Sequence, residues 1–106
     1  MKVKVKNMKS SQGNDVPNQF IIETDEGTYF QSYDSVIVFR PFDRFISSDT
    51  YDVMPSEKGL PYVYLDKTYW DYSTTTGKYR NQFLGETKKE TERKIKSGEY
   101  ALVDLN

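Results

Sequence analysis

Gln19-Phe20-Ile21-Ile22-Glu23-Thr24-Asp25-Glu26-Gly27-Thr28-Tyr29-Phe30-Gln31-Ser32-Tyr33 decides the fold. Two runs rich in β-branched and aromatic residues flank Asp25-Glu26-Gly27, a three-residue hairpin connection in which Gly27 can take the left-handed conformation of a bulge. Further strands gather around this antiparallel seed. Upstream, Lys2-Val3-Lys4-Val5-Lys6 alternates with period two, which places both valines on one face and the lysines on the other, as in a half-buried edge strand. The lysines guard that edge against another chain. Ser10 to Pro17 collects Ser, Gly, Asn, Asp and Pro, a loop composition.

Downstream, Ser35-Val36-Ile37-Val38-Phe39 is a continuous apolar run of strand formers, the pattern of a strand covered on both faces, and it stops at Arg40-Pro41. From Asp43 to Leu60 no period holds and Asp, Ser, Pro and Gly recur, so a long loop is predicted at about 43–60, pinned by Phe45, Ile46 and Tyr51. Pro61-Tyr62-Val63-Tyr64-Leu65-Asp66 returns to strand character.

The period then changes. Tyr72, Thr76, Tyr79 and Phe83 stand four, three and four residues apart, the spacing of one helical face, with Ser73 or Thr74 able to cap its start and Gly85 its end. Thr87-Lys88-Lys89-Glu90 has the form of a capping box for a second helix, which Glu90/Lys94 and Glu92/Lys96 support as four-apart pairs and Gly98 ends. Ile95 is its only large apolar residue, so this helix lies on the surface. Tyr100 to Leu105 can add a final strand. The predicted fold is a single α+β domain over 1–106, a small, mostly antiparallel sheet with two short helices in the C-terminal half.

Composition bounds the chemistry. A chain of 106 residues buries roughly 60–65% of its unfolded surface, enough for one core. Nine Tyr, six Phe and one Trp make that core aromatic-rich in place of leucine. Fifteen basic against sixteen acidic residues leave a formal charge of −1, so any contact with a polyanion must be local. Neither Cys nor His occurs, which removes disulfides, thiolate nucleophiles, the usual general base and the usual zinc and iron ligands. The basic start is followed by polar residues instead of an apolar segment, and no apolar run approaches bilayer length. The expectation is a cytoplasmic protein with no membrane contact.

Trp70 to Leu84 packs four aromatics, four hydroxyls and two cations into one run and is the expected seat of function. Thr74-Thr75-Thr76-Gly77-Lys78 lacks the glycine and the final hydroxyl of a phosphate loop, since Tyr72 and Tyr79 stand at those places. A weaker anion site remains: hydroxyls and unbonded amides at a helix start, with Lys78 and Arg80 close by. Aromatics interleaved with cations also suit a single-strand platform. If Tyr72, Tyr79 and Phe83 face the core, Trp70, Lys78 and Arg80 are the exposed candidates. The candidate binding residues are therefore Trp70, Ser73, Thr75, Thr76, Lys78 and Arg80. No catalytic residue, metal ligand or cofactor is assigned. Asp66 and Asp71 beside the aromatics, and Asp43, Asp49 and Asp52 in the long loop, read as turn and cap residues.

Asn18-Gln19-Phe20-Ile21-Ile22, Tyr29-Phe30-Gln31-Ser32-Tyr33 and Trp70-Asp71-Tyr72-Ser73, with Thr75-Thr76, Lys78-Tyr79 and Phe83-Leu84, resemble a family of small uncharacterised proteins of bacteriophages and prophages. The resemblance runs from Pro17 to Leu84. It implies an accessory role in a bacterial host cell and brings no activity with it.

Three functional readings are compatible with these residues. The first is a non-enzymatic accessory protein that binds a host protein, such as a defence component, through the long loop and the exposed aromatics. The second is a binder of single-stranded nucleic acid or of a phosphate-bearing ligand through Trp70, Lys78 and Arg80. The third is a self-associating assembly module that uses its flat β-rich face.

Overall fold

The hairpin forms, and a sheet grows outward from it in chain order. A computed structural model describes residues 2–42 and 61–106. The strands are β1 (Val3–Lys9), β2 (Asp15–Thr24), β3 (Gly27–Ser32), β4 (Ser35–Pro41), β5 (Val63–Asp66) and β6 (Tyr100–Val103). Each pairs with the next in one six-stranded sheet. The four pairings from β1 to β5 are antiparallel, whereas β5 and β6 run parallel. A parallel pair needs a crossover, and two helices supply it: α1 (Thr74–Leu84) and α2 (Lys88–Ser97). The α+β class, the mostly antiparallel sheet and the two helices in the C-terminal half are as expected. The expected loop over 43–60, with Phe45, Ile46 and Tyr51, lies outside the described residues.

At the hairpin only Asp25 and Glu26 lie between the strands, and Gly27 is the first residue of β3. Gly27 is not in the left-handed bulge conformation; its φ of 159° is close to extended. Its need for glycine comes from a neighbour: a Cβ there would stand 2.5 Å from the Arg40 carbonyl oxygen and 2.6 Å from Pro41 Cα. The turn is closed by the Thr24 hydroxyl, which accepts from the amides of Glu26 and Gly27.

One boundary shifts. β2 begins at Asp15, inside the expected loop, because Lys9 pairs with Asp15 after a register shift in β1. β1 is an edge strand, but Val3 and Val5 are each 57% exposed, and its buried residue is Met8. In β4 the register with β3 slips between Phe30 and Gln31, and the extra residue lets adjacent Ile37 and Val38 both be fully buried.

Both helices pack on one side of the sheet. Phe30 stacks on Phe83 of α1 at 5.8 Å, and Met8, Ile37, Val38, Val63, Leu65, Tyr79 and Tyr100 complete the buried cluster. Four of its nine side chains are aromatic, as the composition leads one to expect. Ser73 caps α1 by accepting from the Thr76 amide, and Gly85 ends it at φ 69°, a left-handed position suited to glycine. Thr87 and Glu90 form the expected capping box of α2. The expected Glu90/Lys94 and Glu92/Lys96 ion pairs do not form. Glu90 is engaged by Thr87, and Lys94 turns to Glu86 at 2.7 Å.

Candidate functional site

The turn between β5 and α1 sets the site. Asp66, at the end of β5, is fully buried and accepts from the amides of Thr68, Tyr69 and Leu105. Burial pushes its carboxyl up, but those amides and Asn106 more than offset this and hold it below the ordinary value. Its oxygens are thus occupied in fastening the turn to the C-terminal segment. The chain then passes through Tyr69, Trp70, Asp71 and Tyr72 before Ser73 starts α1.

Arg80 ties this turn to the helix. It lies on the sheet-facing side of α1 beside Thr76, Tyr79 and Phe83, and only 1% of it is exposed. One terminal nitrogen donates to the Trp70 carbonyl (2.6 Å) and to Asp71 (3.1 Å), and the other donates to Asn81 (3.0 Å). The guanidinium carbon stands 5.1 Å from the centre of the Trp70 ring. Asp71 is also held by Lys88 of α2, at 2.7 Å. Burial raises the Asp71 carboxyl, and the hydrogen bonds from Lys88 and Arg80 lower it by more. The same contact raises the Lys88 ammonium.

Around these residues opens a cleft of about 680 Å³, lined by Asp71, Ser73, Thr74, Lys78, Arg80 and Lys88 together with Gly77 and Asn81. Three cations face one carboxylate. Ser73 takes the Thr76 amide with its side chain and the Gly77 amide with its carbonyl, which leaves the amides of Thr74 and Thr75 without an intrahelical acceptor. Lys78 also lines a smaller cleft of about 190 Å³ with Lys9 and Gln82, so the basic surface continues past the end of β1.

Of the six expected binding residues, Ser73, Lys78 and Arg80 meet in the cleft. Arg80 is not exposed as expected; it forms the cleft's floor. Trp70 is half-buried against the core, and its ring is covered by Arg80, so it is not an open stacking surface. Thr76 is buried and bonded to Ser32, and Thr75 lies exposed on α1 without lining the cleft. Tyr72, expected in the core, is 54% exposed because it precedes the helix whose spacing it shares. Sequence reading missed Lys88, which it placed only in a capping box, and Asn81.

Compared with protein-family models, curated proteins and solved structures, the chain gives no match. Among the described residues no helix is long and apolar enough to cross a membrane. No group of three or more carboxylates that could hold a metal ion occurs among them, and Asp43, Asp49 and Asp52 lie outside.

Proposed function

We infer that the chain is a non-enzymatic binding protein whose cleft beside α1 holds a phosphate-bearing ligand. The observation that carries this reading is the convergence of Arg80, Lys88 and Lys78 with the start of α1 on one open cleft that contains a single carboxylate. A helix start with unbonded amides favours an anion, and nearby cations strengthen the attraction. Arg80 is fixed by its bonds to Trp70, Asp71 and Asn81 and by the Trp70 ring, so its charge is preorganised, whereas Lys78 and Lys88 keep exposed side chains that can follow the ligand. The expectation of a stacking platform on Trp70 drops out of the proposal, since that ring already covers Arg80. An accessory role in a phage-infected bacterial cell, implied by the sequence resemblance, is part of the same proposal.

The test is titration of the full chain with inorganic phosphate and with a short single-stranded oligonucleotide, read by the fluorescence of Trp70, the sole tryptophan. A saturable response that weakens with added salt and with Lys78→Ala or Lys88→Ala is expected. Absence of a saturable response to both probes would remove this reading.

A further inference from the structure

On the side of the sheet away from the helices, the register aligns Val5, Ile22, Tyr29, Phe39, Tyr64 and Ala101, one from each strand. Tyr29 stacks on Phe39 at 4.4 Å, and Phe39 stacks on Tyr64 at 6.3 Å, so three rings form a continuous ridge. Strand alternation assigns the opposite side to Ile21, Phe30, Val38 and Leu65, the residues packed beneath α1. The ladder is half-buried along most of its length and 57% exposed at Val5. Among the described elements no helix covers it.

We propose that this face is the contact between two copies of the chain, packed sheet against sheet about a two-fold axis. Two properties select a second copy as occupant. The first is charge: in Val3–Asn7, Phe20–Thr24, Gly27–Gln31 and Phe39–Pro41, the charged residues Lys4, Lys6, Glu23 and Arg40 all fall on the other side. On β5, Asp66 shares the side of Tyr64 but is fully buried by its bonds to the Thr68, Tyr69 and Leu105 amides. Over these segments and β5 the face therefore presents no exposed charge, is matched by its own neutral copy and offers nothing to a charged partner. A two-fold contact needs only one self-complementary patch.

The second property is size. Strands about 4.8 Å apart and about 7 Å between successive same-face residues give the ladder and its flanking levels a footprint of about 500 Å². Two such faces together cover about 1,000 Å², the lower bound for a specific interface, which sets the dimer at the weak end of stable association. Twisted sheets pack face to face with their strands about 30° apart and about 10 Å between layers, a spacing the three rings can fill. The edge lysines of β1 point away from this face and leave it unobstructed.

Sedimentation equilibrium of the full chain from low to high micromolar concentration tests this. The expected result is a monomer–dimer equilibrium in that range, weakened at least about tenfold by Val5→Glu, which buries a charge at the rim. Tyr29→Glu, at the centre, abolishes it, with far-UV circular dichroism checking that the fold survives. Should Tyr29→Glu unfold the chain, Val5→Glu decides, because that side chain is already exposed in the monomer. Lys88→Ala, in the cleft across the sheet, leaves the dimer intact. A strict monomer at high micromolar concentration, or a dimer indifferent to Val5→Glu, overturns the proposal.

Discussion

Ser32 on β3 and Thr76 on α1 share a hydrogen bond of 2.9 Å between hydroxyls that are both fully buried, across 44 residues of chain. Ser73, the cap of α1, donates to the same Thr76 oxygen at 3.0 Å. The start of the helix, and with it one wall of the cleft, is thereby tied to the sheet by hydroxyls instead of apolar packing. Thr76→Val keeps the shape and strands the Ser32 hydroxyl, so we expect a loss of about 1–3 kcal/mol in urea unfolding. The double variant Ser32→Ala/Thr76→Val should lose less than the sum of the two single changes. Additive losses would show that the two hydroxyls do not depend on each other.

Gln19 pairs with Ser32 across β2 and β3 and is fully buried, yet no group of the chain hydrogen-bonds its amide nitrogen or oxygen. A buried amide left in that state costs about 1–3 kcal/mol. Methionine has a similar length and no such requirement. We expect Gln19→Met to raise the unfolding free energy by about 1 kcal/mol once packing differences are included, and the urea midpoint with it. A lowered midpoint would mean that the amide contributes to the native state.

Much of this architecture is legible in the sequence, and the parts that are not have physical causes. Period-two alternation and turn residues locate the strands around Gly27, and cap residues locate both helices within a residue or two, because these signals are local. Burial is not local. Tyr72 fits the helical spacing of Thr76, Tyr79 and Phe83 but precedes the first turn, so its ring points to solvent. Arg80 reads as a surface cation, and its burial depends on the Trp70 carbonyl and Asp71 arriving from the preceding turn. Lys88 joins the cleft only because Gly85 redirects the chain so that α2 begins beside Asp71. No pattern within any one segment encodes that meeting.

Arg80 and Lys88 both bind Asp71, and they should separate stability from binding. Arg80→Met removes the donor that serves Trp70, Asp71 and Asn81 and leaves Asp71 with Lys88 alone. Because Asp71 keeps 31% side-chain exposure, the loss should fall below the range for fully buried pairs, at about 2–3 kcal/mol. Lys88→Ala, at a half-exposed position, should change stability by less than about 1 kcal/mol while weakening phosphate binding. Arg80→Lys retains the charge but not the planar fork, so it should lose stability almost as Arg80→Met does. If Arg80→Lys behaves like the parent in thermal unfolding, the forked geometry is not what fixes the site.

Stability should decline at both ends of the pH scale, for different reasons. Asp66 and Asp71 lie below their ordinary value of 3.8 in the folded chain, despite the opposing effect of burial. A depressed carboxyl adds stability above its unfolded value and loses it as pH falls through the folded one, so the acid limb begins near pH 3.8 and steepens below it. Asp66→Asn should flatten that limb while lowering the plateau. At the alkaline end Glu86, whose side chain is 4% exposed, accepts from Lys94 and from the Tyr100 hydroxyl at 2.8 Å. Its hydrogen bond raises Lys94 above 10.5, and burial together with the bond to Glu86 raises Tyr100 above 10.0. Both groups hold their protons more tightly when folded, so their contribution is complete below those values and is lost as pH rises beyond them. Glu86→Gln keeps the shape but removes the charge that holds the Lys94 proton, so the midpoint of thermal unfolding should become less sensitive to pH above 10.0. An alkaline limb of unchanged slope in Glu86→Gln would assign the loss to other groups.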